Sequence, residues 1–134
     1  MFRRLLRIAP LSLDLGLLVL RVASAGIMLT HGWPKLANFK ERFHAFGDPF
    51  GLGSEITFTF AVLAEFFCAV LLGLGLFTRY ALIPLIITMA TVVFVVHADD
   101  PFARKEVPSL LLTCFATLFF TGPGRYAFDA RLKS

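Results

Sequence analysis

Residues 61–79 read AVLAEFFCAVLLGLGLFTR, an apolar run with a single carboxylic acid, Glu65, near its middle. The hydrocarbon core of a bilayer is about 30 Å thick, and a helix of about 20 residues crosses it. The run therefore reads as the body of a membrane-spanning helix. An acid inside such a helix is costly enough to mark a functional site. Fold and site both turn on what makes Glu65 tolerable.

The rest of the chain agrees with that reading. Of the 134 residues 57% are hydrophobic, and the mean hydropathy is +0.78, which leaves too little charge to cover a soluble domain of this size. One domain, residues 1–134, is expected at this length. The apolar stretches are continuous and do not alternate, which points to an all-α multispan membrane protein and away from a barrel. The net charge is +4. The basic residues gather at segment ends, as membrane topology requires, and no basic run has aromatics interleaved, so nucleic acid is not an expected partner. Cys68 and Cys114 lie inside apolar runs at a spacing that fits neither a CxxC nor a zinc site. They read as helix-packing residues, with a reversible bridge between them as the alternative.

Four spans are expected, over 11–31, 56–77, 80–97 and 107–121, as a four-helix bundle. The first follows the basic segment MFRRLLRIAP. A secretory signal peptide is the competing reading, with Ala23-Ser24-Ala25 as a cleavage pattern, but Asp14 and Arg21 interrupt its apolar region. An uncleaved first helix is expected. The loop over 32–55 opens with HGWPKL. Within it, Phe39, Phe43 and Phe46 recur at helical spacing, which predicts an interfacial helix over 38–46. Thr78-Arg79 reads as a very tight connection, with Pro84 near the start of the third span, where proline costs least. Residues 98–107 form a second outer loop. Gly122-Pro123-Gly124 stops the fourth span, and a polar tail follows. This GPGR stretch is no phosphate loop, since no strand precedes it. Trp33, Phe39 and Tyr126 are expected interface anchors.

Four spans put both termini on one side. That side carries Arg3, Arg4, Arg7, Arg79, Arg125, Arg131 and Lys133 in short segments, against Lys35, Lys40, Arg42, Arg104 and Lys105 in the two longer loops with most of the acids. The positive-inside rule then places both termini in the cytoplasm.

Inside the spans, Arg21 is expected about 12 Å deep from the cytoplasmic side and Glu65 about 13 Å deep from the other. In a core of about 30 Å their levels differ by about 5 Å, so an Arg21–Glu65 ion pair is the simplest expectation, with Asp14 a second-choice partner for Arg21. A buried pair of this kind can serve only to fix helix register. Ala61, Glu65, Ala69 and Gly73 form a small-residue stripe for close helix packing. Thr113, Thr117 and Thr121 form a second stripe whose hydroxyls can bond their own helix or a neighbour. His31 and His97 fall at the outer ends of spans 1 and 3. If those spans are neighbours, the two imidazoles join Lys35 and Glu106 in one outer polar patch able to handle protons. Plain interfacial side chains are the simpler reading, and no metal site is expected.

The pieces LRVASAGIMLTHGWPKL (20–36), LAEFFCAVLLGLGLFTR (63–79), VFVVH (93–97) and TGPGRYAFDARL (121–132), in this order and spacing, resemble the DoxX family of small bacterial membrane proteins. The matching positions include Arg21, His31, Gly32, Lys35, Glu65, Gly73, Gly75, Thr78, Arg79, His97, Glu106, Gly122, Pro123, Gly124 and Asp129. The resemblance implies a four-helix protein of the bacterial inner membrane. It further implies an integral subunit of a quinone- or thiol-linked redox complex. Under that reading Arg21, Glu65, His31, His97, Lys35 and Glu106 handle ligand or protons. The sequence holds no CxxCH, cysteine cluster or Rossmann glycines, so no cofactor is evident. Quinone is then the candidate ligand and a soluble redox protein the source of electrons. The alternative is a non-enzymatic assembly or small-molecule binding protein, with a second copy of the chain in a homo-oligomer as a candidate partner.

Overall fold

A computed structural model describes residues 2–42 and 47–132. Among these the chain is all helical: α1 (Phe2–Leu5), α2 (Leu13–Ala37), α3 (Phe39–Arg42), α4 (Ser54–Leu74), α5 (Thr78–Val96), α6 (Phe102–Thr121) and α7 (Phe128–Leu132). The four long helices form a bundle in which α2 packs on α4, α4 on α5, α5 on α6, and α6 back on α2. Each helix therefore lies diagonal to one other, and α2 and α5 are such a pair. Met28, Leu72, Leu82, Leu85, Phe115 and Leu118 fill the centre and are fully buried. Large apolar side chains such as Val19, Ile27, Phe60, Ile87, Phe94 and Phe120 remain exposed on the outside. In water such a surface would aggregate; in a bilayer it is the ordinary outer face.

Three helices, α2, α4 and α5, are long and apolar enough to cross a membrane. The fourth, α6, is equally long, but its first turns carry Arg104, Lys105 and Glu106. The expected boundaries shift at four places. Helix α2 does not stop at His31 but continues through HGWPKLA to Ala37, because its apolar face still packs on α4 there. Thr78 and Arg79 form the first turn of α5 and not the connection, which is Gly75-Leu76-Phe77. Helix α6 begins at Phe102, so most of the expected second outer loop is helical. Of the interfacial helix expected over 38–46, residues 39–42 form one helical turn, with the Phe39 ring 5.2 Å from that of Phe58; residues 43–46 lie outside the described residues.

The basic end of the bundle is closed by the tail. Arg21 sits inside the bundle at 2% exposure. Its Nη1 donates to the Pro123 carbonyl and its Nη2 to the Tyr126 carbonyl, each at 2.9 Å. The turn before α5 leaves that helix's first amides without partners of their own. Asp129 supplies them from the tail: the Phe77 amide donates to Oδ1 at 2.7 Å and the Thr78 amide to Oδ2 at 2.9 Å. The Asp129 amide in turn donates to the Gly75 carbonyl at 2.9 Å. Gly75 has φ +72°, and a Cβ there would fall on Ala127, so a glycine is required on both counts. Arg79 Nε donates to the Phe119 carbonyl at 3.0 Å, and the Arg125 amide donates to Asp14 Oδ1 at 2.9 Å.

Burial alone would raise the Asp129 carboxyl. The Thr78 side chain beside it, the Thr78 and Phe77 amides and the Arg21 charge outweigh that and hold it below the ordinary carboxylate range. Its stabilising contribution is therefore complete above the unfolded carboxylate value of about 3.9 and is lost as pH falls through the lower folded value. Asp129→Asn should melt about 1 kcal/mol less stable than the parent at neutral pH, the usual size of a lost helix cap. That gap should close as pH falls below about 4 and through the lower folded value, as followed by thermal melting of purified protein in detergent across pH. A gap that stays constant to low pH would argue against the cap.

Candidate functional site

Glu65 lies at the middle of α4, in a π-helical stretch, Leu63–Cys68, that interrupts the α-helix. A π turn fits one extra residue into the helix and re-aims the side chains around it, and such turns gather at functional sites. Here Ala64 and Glu65 both point inward, with Glu65 4% exposed. Helix α2 approaches this turn more closely than side chains would allow. A Cβ on Gly32 would fall on the Glu65 carbonyl and lie 2.9 Å from the Phe66 amide nitrogen, so only glycine fits. Seven residues earlier on α2, Ala25 meets Gly73 of α4, a Cβ there lying 3.5 Å away. These two contacts fix the antiparallel register of α2 against α4.

That register decides the partner of Glu65. The pairing with Arg21 suggested by depth is not formed: from Arg21 to Gly32 the helix rises about 16 Å, and Glu65 is level with Gly32. The depth argument fails because it counts from helix ends, and α2 runs six residues beyond the expected end of its span. Lys35 is Glu65's partner, its Nζ donating to Oε2. Lys35 is one turn beyond Gly32 on the same face. Helix side chains lean back toward the N-terminus, so its ammonium comes down to the Glu65 level. The pair is unequal in burial, with side-chain exposures of 19% for Lys35 and 5% for Glu65. Glu65 is thus the inner member of the pair and Lys35 the outer one.

The other outer residues do not join it. His31 faces outward and is exposed. His97 ends α5, whose last turn, Val92–Val96, is also π-helical, and its Nδ1 is 2.6 Å from Asp100 Oδ2. The His97 hydrogen bond, with nearby Arg104 and Lys105, holds the Asp100 carboxyl below its ordinary range. Glu106 is exposed on α6. The outer patch is expected if the first and third spans are neighbours, but α2, which carries His31, and α5, which His97 follows, are diagonal. No group of three or more His, Cys, Asp or Glu able to hold a metal occurs among the described residues. Cys68 and Cys114 are free. Thr113 and Thr117 face outward and bond their own helix, as does Thr121.

Two sets of residues therefore emerge. Arg21, Gly75, Thr78, Arg79, Gly122, Pro123, Gly124 and Asp129 belong to the closure at the basic end. Gly32, Lys35 and Glu65 form a separate cluster, about three helical turns away along α2. Sequence reasoning finds every member of the second set but not its pairing. It misses the amide contacts of Asp129, whose only sequence signal is its place after the Gly-Pro-Gly stop, and the contact of Asp14 with the Arg125 amide.

The family model for DoxX matches residues 16–98, more than half of the chain. No curated protein and no solved structure matches it. The match covers α2, α4 and α5, and with them Gly32, Lys35 and Glu65. The chain belongs to the DoxX family and is a multi-pass membrane protein.

The close approach makes a specific demand on Gly32. Gly32→Ala should force α2 and α4 apart at the π turn and cost about 1–3 kcal/mol, as overpacking does elsewhere. Gly26→Ala, at an α2 position with open space around it, is the control and should melt like the parent. Equal melting of the two variants would contradict the contact.

Proposed function

We propose that this DoxX-family protein is a four-span subunit of a larger membrane assembly, and that Lys35–Glu65 is its working group. The observation that carries the reading is the place of that pair. An ammonium and a carboxylate face each other in an apolar wall, at a π turn, with Glu65 buried and Lys35 partly open. Charged groups at such a position are expensive and mark ligand or proton paths. A proton passing from Lys35 to Glu65 converts the ion pair into a neutral pair. The pair can thus give or take a proton without leaving a lone charge in a dry region.

The fourth span is α6. Its apolar portion after Glu106 packs between α5 and α2, and its end is tied to both by the tail closure. The basic closure faces the cytoplasm by the positive-inside rule, which puts Lys35–Glu65 toward the opposite face of a bacterial plasma membrane. The family resemblance points to a quinone as the ligand. Its carbonyl oxygens would accept hydrogen bonds from Lys35, and reduction to the quinol takes up two protons with two electrons supplied by a soluble partner protein. A second reading, a non-catalytic binding or assembly subunit, is favoured by Arg21 and Asp129. Both are spent on tying the tail to the bundle, the work of a structural subunit.

The test uses purified protein in nanodiscs, titrated with a short-chain quinone. The parent should bind, and Lys35→Met and Glu65→Gln should each weaken binding about tenfold, the loss of one charged hydrogen bond. A parent that does not bind, or variants that bind as it does, would remove the quinone and leave the assembly reading. Melting of the same proteins gives an independent check on the pair. Removing one partner strands the other charge, so Lys35→Met should be more destabilising than Lys35→Met with Glu65→Gln together. Strictly additive losses would argue against coupling.

A further inference from the structure

A groove of about 370 Å³ opens at the basic end, between α2, the last turn of α4 and the tail. Its rim carries Arg125 and Arg131, both exposed. Each guanidinium lies against a ring of the tail, Arg125 at 5.2 Å over Tyr126 and Arg131 at 5.9 Å over Phe128. Val22 and Leu74 form an apolar wall that is open to the side, about half exposed. Arg21 lines the groove from within. Its two terminal nitrogens hold the Pro123 and Tyr126 carbonyls, but its buried Nε has no hydrogen-bond partner. A buried guanidinium N–H without an acceptor is costly.

The groove thus has two chemistries. Three guanidiniums line it, against two acids close by: Asp14, whose Oδ2 is 4.0 Å from Arg125 Nε, and Asp129, which feels the Arg21 charge. Beside them lies the apolar wall of Val22 and Leu74. We propose that this groove binds one anionic phospholipid. The headgroup phosphate accepts from Arg125 and Arg131, and one acyl chain lies along Val22 and Leu74. Guanidinium groups suit phosphate because they are always charged and donate in pairs. Basic pockets between spans at the cytoplasmic level are where such headgroups collect. A free phosphate would use the arginines and leave the apolar wall bare.

The experiment compares the full chain in nanodiscs of phosphatidylcholine alone and of phosphatidylcholine mixed equally with phosphatidylglycerol. It reads the lipid retained by native mass spectrometry and the melting temperature. Phosphatidylglycerol should be retained about thirtyfold over phosphatidylcholine and should raise the melting temperature, as about 1 kcal/mol for each of the two rim arginines implies. Arg125→Gln with Arg131→Gln should melt like the parent in phosphatidylcholine and lose the preference. Val22→Trp fills the wall with the arginines intact and should lower retention of phosphatidylglycerol. Equal retention of both lipids by the parent would overturn the proposal, as would a preference that survives either variant. The same stabilisation by inorganic phosphate in pure phosphatidylcholine would overturn the lipid as its source.

Discussion

The bundle depends on how Arg21 is solvated. A guanidinium inside a helix bundle cannot shed its charge at any ordinary pH, so its donors must be given acceptors where water is scarce. The chain supplies them from its own tail, through the Pro123 and Tyr126 carbonyls. For those carbonyls to arrive, α6 must stop at Gly122, the chain must turn through Pro123 and Gly124, and the tail must lie across the ends of α2 and α4. The same path brings Asp129 to the first amides of α5. One buried cation thus fixes the position of some ten residues of backbone, and the tail in turn caps the helix whose start is otherwise bare.

The helix contacts further along are of another kind. At Gly32 no side chain intervenes, and the backbone of α2 meets the backbone of the π turn in α4. Close approach of this sort is what holds helices together in lipid, where no hydrophobic force drives them inward. It also sets register to within one residue, because a shift would put the His31 or Trp33 side chain where only a glycine fits. Register then chooses the ion pair. Had α2 and α4 been offset by two or three turns, Arg21 would have met Glu65, and the tail carbonyls would have lacked their donor.

The helical class, the apolar runs and the charged positions inside them were legible from composition and spacing. So were the small-residue stripe and the Gly-Pro-Gly stop. The pairing was not, for a definite reason. Depth counted from helix ends carries the error of those ends, and HGWPKL looks like a loop because Gly and Pro usually break helices. In this chain the same Gly is the packing contact and Pro34 is carried inside α2. The π turn at Leu63–Cys68 leaves no sequence mark of its own. Nor does the diagonal placing of α2 and α5, which separates His31 from His97. Neighbour relations among helices are tertiary facts, and a single sequence gives levels without angles.

Buried Arg21 and partly open Lys35 differ in what they can do, and their places follow that difference. Arginine keeps its proton and offers a rigid planar set of donors, which suits a permanent tie to backbone carbonyls. Lysine on a long flexible stem can lose its proton when desolvated, and a carboxylate beside it can take that proton up. The chain places the arginine where the tail must be held and the lysine where α2 nears the surface, with its partner on a turn whose helical bonding is already relaxed. Exchanging the two residues would put a titratable group in the closure and a fixed charge beside Glu65. The tail would then be tied by a group able to deprotonate, and the pair at Glu65 would lose its neutral state, one proton transfer away, which is the property that sets it apart from a simple clasp.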